Sequence, residues 1–389
     1  MRILVLLSRI PWPLEKGDKL RAYYQLQELS KCHEICLVCL TDRPPHPEAM
    51  EKLESFCTEV HFLRLSRFKI LLSLVFGLFD SKPLQINYFY QTKTRKELDR
   101  IIQKWMPNHI FTQLVRTAEY LKKYSIFPIT LDYMDAFSEG ANRRISKTTF
   151  LLQPLFKLES KRLAKYEAEV FDIFKHKIII SKKDREHIHH IDRNEIHIVK
   201  NGVDLAAFSP DQLAKKTTDL LFTGNMNYPP NVSAAKRLAK EILPELSKSF
   251  PEIKLTIAGA TPHATVKALE NNQVIITGWV PKIQPIYSSA RVFVAPMEIG
   301  SGMQNKILEA MAMEIPVVTS RLAAEPIGAK HNNELLVADS NEEFIQCIHS
   351  LLTDQNLRDE ITQNAKNFVK EKFSWKSNTA KLLELIQNN

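Results

Sequence analysis

The chain has 389 residues, with 53 Lys and Arg against 44 Asp and Glu for a formal charge of +9, and five cysteines. At about 150 residues per domain, that length predicts two or three domains with cores of their own. The charge suits nucleic acid, an anionic bilayer or a phosphorylated substrate. However, no RRM, KH, zinc-finger or helix-turn-helix signature accompanies it, so no nucleic-acid partner is expected. No stretch reaches the roughly 18 apolar residues of a membrane span. The odd cysteine count without an export signal argues against disulfides and for a cytoplasmic protein.

The first half reads as strand 3–7, helix about 19–31, strand 34–41, helix about 47–57 and strand 59–65, a βαβαβ half of a doubly wound fold. Between the first strand and helix lies Glu15-Lys16-Gly17-Asp18-Lys19-Leu20-Arg21, in which Asp18 reads equally as a helix N-cap. Cys32, Cys36 and Cys39 have a C-x3-C-x2-C spacing, but they lie in a compact apolar run and are expected to be packed strand residues rather than cluster ligands. Next comes the apolar stretch 66–79, headed by Arg64, Arg67 and Lys69.

Further strands are expected at 110–113 and 129–132, then a long helix over about 147–173, a strand at 177–181 and closure of the domain at 196–199. The region 143–166 carries Arg143, Arg144, Lys147, Lys157, Lys161, Arg162 and Lys165. A basic amphipathic surface of this kind can lie on an anionic leaflet, although a core helix and a solvated face account for the two segments as well. His187, His189, His190 and His197 stand in a polar run without an H-E-x-x-H arrangement, and no D-x-D element is placed to bind an ion, so no metal is expected.

Residues 205–217, polar and holding Pro210, read as a linker between a domain of 1–204 and a second α/β unit of 218–371. Seven of the ten glycines lie from Gly202 onward, most of them just after apolar runs, where a doubly wound sheet turns toward its ligand. The most informative segment is 291–320. It holds a buried strand 291–296, a turn bracketed by Gly300 and Gly302, a helix over about 303–313 stopped by Pro316, and the strand Val317-Val318-Thr319. The start of that helix favours a pyrophosphate, and Lys306 and Glu309, three apart, share one helix face. Lys306 can reach phosphate, and Glu309 can accept from a ribose or sugar hydroxyl.

This segment resembles the nucleotide-sugar signature of the retaining glycosyltransferases of the GT-B fold, family 4, in which a glycine loop precedes K-x-L-E-A-M-A and P-V-V. Four further blocks follow the family's order: Asn201-Gly202-Val203-Asp204, Gly224-Asn225-Met226 with Tyr228, Pro230 and Asn231, Leu255-x-Ile257-Ala258-Gly259, and Thr277-Gly278-Trp279-Val280. The resemblance implies an α/β fold of two Rossmann-like doubly wound domains facing across a cleft, with a terminal helix in 372–389 crossing back to the N-terminal domain. It also implies transfer of a sugar from a nucleoside diphosphate donor to a glycan or lipid-linked acceptor, with retention and without a cofactor, completed by domain closure. K-G-D-K-x-R resembles the version of the facing loop found in an exopolysaccharide-associated subgroup.

By the same resemblance, Gly17, Asp18, Lys19 and Arg21 close over the donor, and Gly224, Asn225, Asn231, Gly278, Trp279 and Val280 line it. The backbone from Gly302 through Met303 and Gln304 to Asn305 donates to its phosphates. Asp132 and Asp135 take the acceptor side, with helix capping as the alternative. Two departures stand out. The first acid of the family's E-x7-E element is replaced by Ser301, with Glu298 three residues away as a substitute, and Asn225 and Asn231 stand where many relatives carry cations. Lys306 is then the local cation for the leaving diphosphate. Two rival readings are another GT-B enzyme such as a nucleotide-sugar 2-epimerase, and a non-catalytic adaptor, which would leave Lys306 and Glu309 unused.

Overall fold

The computed structural model describes residues 1–124, 126–145, 148–211, 213–299 and 303–387. Gly300, Ser301, Gly302 and Lys147 lie outside the described residues. The chain divides into two compact units, Met1–Lys200 with Asn378–Asn389, and Asn201–Ser377.

Unit 1 holds seven strands: β1 Arg2–Leu7, β2 Glu34–Thr41, β3 Glu59–Arg64, β4 His109–Gln113, β5 Ile129–Met134, β6 His176–Ile179 and β7 His197–Ile198. They run parallel in the order β3-β2-β1-β4-β5-β6-β7. Alternation along β1 explains why the run is apolar throughout. Ile3, Val5 and Leu7 pack on one face with Ala22, Leu26 and Leu29 of the helix Gly17–Ser30, while Leu4 and Leu6 pack on the other with Leu98 and Ile102. A sheet buried on both faces needs such strands. Leu382 and Ile386, from the last helix Trp375–Gln387, join the first of these clusters.

Several local expectations change. Lys16, not Asp18, occupies the N-cap of the helix Gly17–Ser30, which leaves Asp18 in the first turn. Cys36 and Cys39 are buried in β2, whereas Cys32 is exposed and precedes the strand. The long helix expected over about 147–173 runs Gln153–Phe171, starting late because Pro154 fits only the first turn of a helix, and a further helix, Phe137–Ile145, precedes it. Two helices not anticipated, Leu84–Phe89 and Thr92–Trp105, cross between β3 and β4. The helix Arg67–Gly77, capped by Ser66, is not a core helix: Ile70 and Gly77 are its buried residues, and Phe68, Leu71, Val75 and Phe76 are exposed.

Unit 2 holds β8 Thr218–Thr223, β9 Leu255–Ala258, β10 Val274–Gly278, β11 Ala290–Ala295, β12 Val317–Thr319 and β13 Leu336–Val337. These six are parallel in the order β10-β9-β8-β11-β12-β13. The chain is thus α/β with two doubly wound parallel sheets, and in each the strand order reverses once, at β1/β4 and at β8/β11. Loops leave the carboxyl ends of those strand pairs in opposite directions and open a crevice for a ligand. The helix expected over 231–248 is interrupted by a π turn at Leu238–Ile242 before Pro244, which lacks the N–H to continue an α-helical ladder.

Candidate active site

The carboxyl ends of β8, β9 and β10 form a glycine-lined ledge. Gly224 N–H donates to the Ala258 carbonyl at 3.0 Å and Gly259 N–H to the Gly278 carbonyl at 3.1 Å. Gly224 and Gly259 have φ of 152° and 142°, and a Cβ on Gly259 would lie 1.8 Å from the Gly224 carbonyl oxygen. Only glycine allows this approach. A Cβ on Gly224 would in turn meet Asn231 Nδ2 at 2.6 Å and Lys306 Nζ at 3.2 Å, so the ledge and the lysine are tightly fitted.

β11 delivers the chain to the helix Asn305–Ala312, whose N-cap Gln304 makes no side-chain cap, and Met303 packs on the core just before it. The first-turn N–H groups and the positive end of the helix make this a place for an anion. Ile307, Leu308, Ala310 and Met311 face the core, which leaves Lys306 and Glu309 on the remaining face. Lys306 Nζ donates to Asn231 Oδ1 and lies 4.8 Å from the centre of the Phe222 ring. Asn231 Nδ2 donates in turn to the Asn225 carbonyl at 2.9 Å. Loss of hydration lowers the Lys306 ammonium to about 7, a shift that nearby Glu309 opposes only in part. The lysine therefore sits at the edge of protonation, with no carboxylate bonded to it among the described residues.

Glu309 is held by a group the sequence reading missed. Tyr287, fully buried, donates its hydroxyl to Glu309 Oε2 at 3.0 Å, and its phenol oxygen also lies 2.7 Å from Thr223 Oγ1 and 3.3 Å from the Lys306 carbonyl. Burial raises both the Tyr287 phenol and the Glu309 carboxyl, the latter against the pull of Tyr287 and Lys306. Glu309 Oε1 has no hydrogen-bond partner among the described residues. One oxygen is fixed and the other remains for a hydroxyl.

The other expected donor residues divide. Gly278, with φ 67°, has open space where a Cβ would be, and Trp279 beside it is 62% exposed, with Val280 half-buried. Asn225 is a loop-former: its Oδ1 accepts from Asn227 N–H at 3.0 Å and Thr261 Oγ1 at 2.9 Å. Glu298 is drawn to Ser233 Oγ at 3.1 Å and Arg237 at 3.8 Å rather than to the helix start. Asn305 Oδ1 accepts from Asn201 Nδ2 at 3.4 Å. Gly300, Ser301 and Gly302, expected to form the loop, are outside the described residues.

In unit 1, Arg21 and Asp132, expected to reach donor and acceptor, are bound instead to each other. Arg21 Nε donates to Asp132 Oδ2 at 2.6 Å with both side chains fully buried, and the second oxygen accepts from Met134 N–H at 2.9 Å. Asp18 pairs with Arg9 at 2.8 Å, and Gly17 abuts Met134. Lys19 is half-buried, and desolvation lowers it against Glu15 and Asp18. Asp135, one residue past β5, keeps accessible surface but is crowded by protein. Desolvation and Asp184 push it up to about 6 against Arg116 and Arg143. Among the described residues, the Cys, His and carboxylate side chains close enough to share a metal ion are Cys36, Glu59 and His61, on β2 and β3.

Residues 217–354 match the family model for glycosyl transferases group 1. The whole chain is similar to an uncharacterised 44.6 kDa protein of the cps region of Klebsiella pneumoniae, 25% identical over 96% of this chain and 97% of that protein. Over 53% of this chain and 57% of the relative, it is 25% identical to the capsular polysaccharide biosynthesis glycosyltransferase CapM of Staphylococcus aureus. The fold matches Anabaena Alr3699/HepE, solved with UDP and glucose, over the full length of both chains at a TM-score of 0.71 and 12% identity. The structural neighbours share the GT-B fold. The family match lies on the unit that holds the ledge, Lys306 and Glu309.

Proposed function

We propose that the protein is a glycosyltransferase of family 4 type, moving a hexose from a nucleoside diphosphate sugar to a hydroxyl of a cell-surface glycan or lipid-linked saccharide. The observation that carries this reading is the pairing of a poorly hydrated Lys306, with no carboxylate bonded to it among the described residues, with the start of the helix Asn305–Ala312 beside the Gly224 and Gly259 ledge, inside the segment matched by the family model. The relatives named for capsule synthesis and the neighbour bound to UDP support the same donor and acceptor classes.

The diphosphate lies on the helix start with Lys306 as its cation. Glu309, oriented by Tyr287, accepts from a ribose or sugar hydroxyl. Negative charge grows on the phosphate as the glycosidic bond breaks, and a protonated Lys306 stabilises it more in the transition state than in the ground state. Asp135 orients the acceptor hydroxyl, while the Arg21–Asp132 pair braces the strand end that carries it. The family resemblance implies retention, and with no side chain placed as a nucleophile among the described residues, the retaining course is attack from the leaving-group face, with the departing phosphate oxygen taking the acceptor's proton. Metal is not required, because the helix start and Lys306 supply the charge.

No described helix is long and apolar enough to cross a membrane. The exposed Phe68, Leu71, Val75, Phe76 and Phe79, with Arg67 and Lys69 beside them, instead suit shallow contact with an anionic bilayer, where a lipid-linked acceptor would be met. Incubation with a panel of nucleoside diphosphate sugars tests the function. Slow sugar release that persists in EDTA is expected, and interconversion of donor epimers would instead indicate an epimerase.

A further inference from the structure

One cation of unit 1 is absorbed by nothing above. Arg116 follows β4, at the β1/β4 reversal of the sheet. Its Nε and Nη2 donate to the neutral Gln85 Oε1 at 3.1 and 2.7 Å, and its guanidinium lies 4.5 Å from the centre of the Phe137 ring and 5.4 Å from that of Phe89. Among the described residues no carboxylate comes within ion-pair distance of it. Burial lowers it to about 10, with Arg9 and Arg144 adding to the effect and Asp18 and Asp135 opposing it.

A guanidinium so deprived of water is ordinarily paired with a carboxylate. Here an amide satisfies part of the hydrogen-bonding fork and two aromatic rings fix its plane, but among the described residues no carboxylate is bonded to it. Of the nearby acids, Asp18 is committed to Arg9, and Asp135 lies beyond pairing distance. With Nε and Nη2 held by Gln85, the edge that carries Nη1 remains on a half-buried, fixed guanidinium at the crevice of a doubly wound sheet, and it suits a planar or tetrahedral oxyanion.

We propose that Arg116 anchors a phosphate subsite of unit 1, and that the acceptor is therefore phosphate-bearing. The proposal deepens the acceptor assignment of the glycosyltransferase reading and rests on it. Arg9, although paired with Asp18, and Arg144 add positive charge around Arg116, which favours a doubly charged phosphate over a single carboxylate. Asp135, on the same side, suits the acceptor's hydroxyl rather than its phosphate.

The test titrates the full-length protein, saturated with UDP to fill unit 2, with glucose 1-phosphate and with neutral-lipid vesicles carrying a polyprenyl diphosphate. Binding of both probes indicates that phosphate alone is read; binding of the vesicles only indicates a lipid-carried phosphate. In either case Arg116→Gln weakens binding at least about tenfold, and Arg116→Lys, which keeps charge but loses the fork, falls between. Gln85→Leu keeps the charge but removes the amide that fixes the guanidinium, and serves if Arg116→Gln unfolds; about fivefold weakening is expected. Equal affinity in wild type and Arg116→Gln, or in wild type and Gln85→Leu, overturns the proposal. If UDP itself fails to bind, the donor reading fails, and the same titration in Lys306→Ala without UDP still reads Arg116.

Discussion

The Tyr287 hydroxyl lies 3.0 Å from Glu309 Oε2, joining a short helix ahead of β11 to the helix that follows it. Both groups are raised by burial, and the hydrogen bond between them satisfies the phenol's donor and one carboxylate oxygen. Replacing Tyr287 with Phe removes the donor but leaves the buried carboxyl. Urea unfolding should show a loss of about 1–3 kcal/mol, and nucleotide affinity should fall with it, since Glu309 loses its orientation. Unchanged stability would mean that Glu309 does not depend on the phenol.

Lys306 makes stability depend on pH. Its folded value of about 7 lies below the 10.5 of an ordinary lysine, so between these two values the unfolded chain holds a proton that the folded chain has released. Stability then rises with pH across that window, with a slope of at most about 1.4 kcal/mol per pH unit. Lys306→Met should remove this rise. A diphosphate should restore the proton, so nucleotide binding takes up protons above pH 7, measurable by calorimetry in buffers of different ionisation enthalpy.

The buried Arg21–Asp132 pair is structural in its effect. Asp132→Ala leaves a buried guanidinium without its carboxylate and should cost about 3–5 kcal/mol in denaturant unfolding, whereas Arg21→Met with Asp132→Leu should recover most of that loss. A cost below about 1 kcal/mol in the single variant would contradict the pairing.

Membrane contact is read most simply from vesicle sedimentation. Phe76→Ser with Phe79→Ser should abolish sedimentation with anionic vesicles while leaving the melting temperature unchanged, since Phe76 is 69% exposed and Phe79 89%. Added salt should weaken wild-type binding through screening of Arg67 and Lys69. Equal binding to neutral vesicles would contradict the electrostatic share of the contact.

Both sheets were legible because their strands are uniformly apolar and separated by helix-length segments. The Lys306–Glu309 face was legible because both residues belong to one local run with its own glycines and proline. Tyr287 was not, since nothing near it in the chain signals a carboxylate 22 residues on. Arg21 and Asp132, 111 residues apart, illustrate the same limit, as each looks like a surface or site residue until the sheet brings them together. The helix Thr92–Trp105 is a different case: Leu98, Ile102 and Trp105 have helical spacing, so its pattern was present and simply outweighed by the polar residues between.

The most direct measurement compares turnover with nucleotide affinity in Lys306→Ala and Glu309→Gln. If the helix start cradles a departing diphosphate, Lys306→Ala lowers kcat by about a hundredfold while hardly changing the affinity for the bare nucleoside. Glu309→Gln weakens nucleotide binding by about 1.5–3 kcal/mol with the fold intact. Wild-type affinity and wild-type turnover in both variants, at an unchanged melting temperature, would contradict the account at its centre.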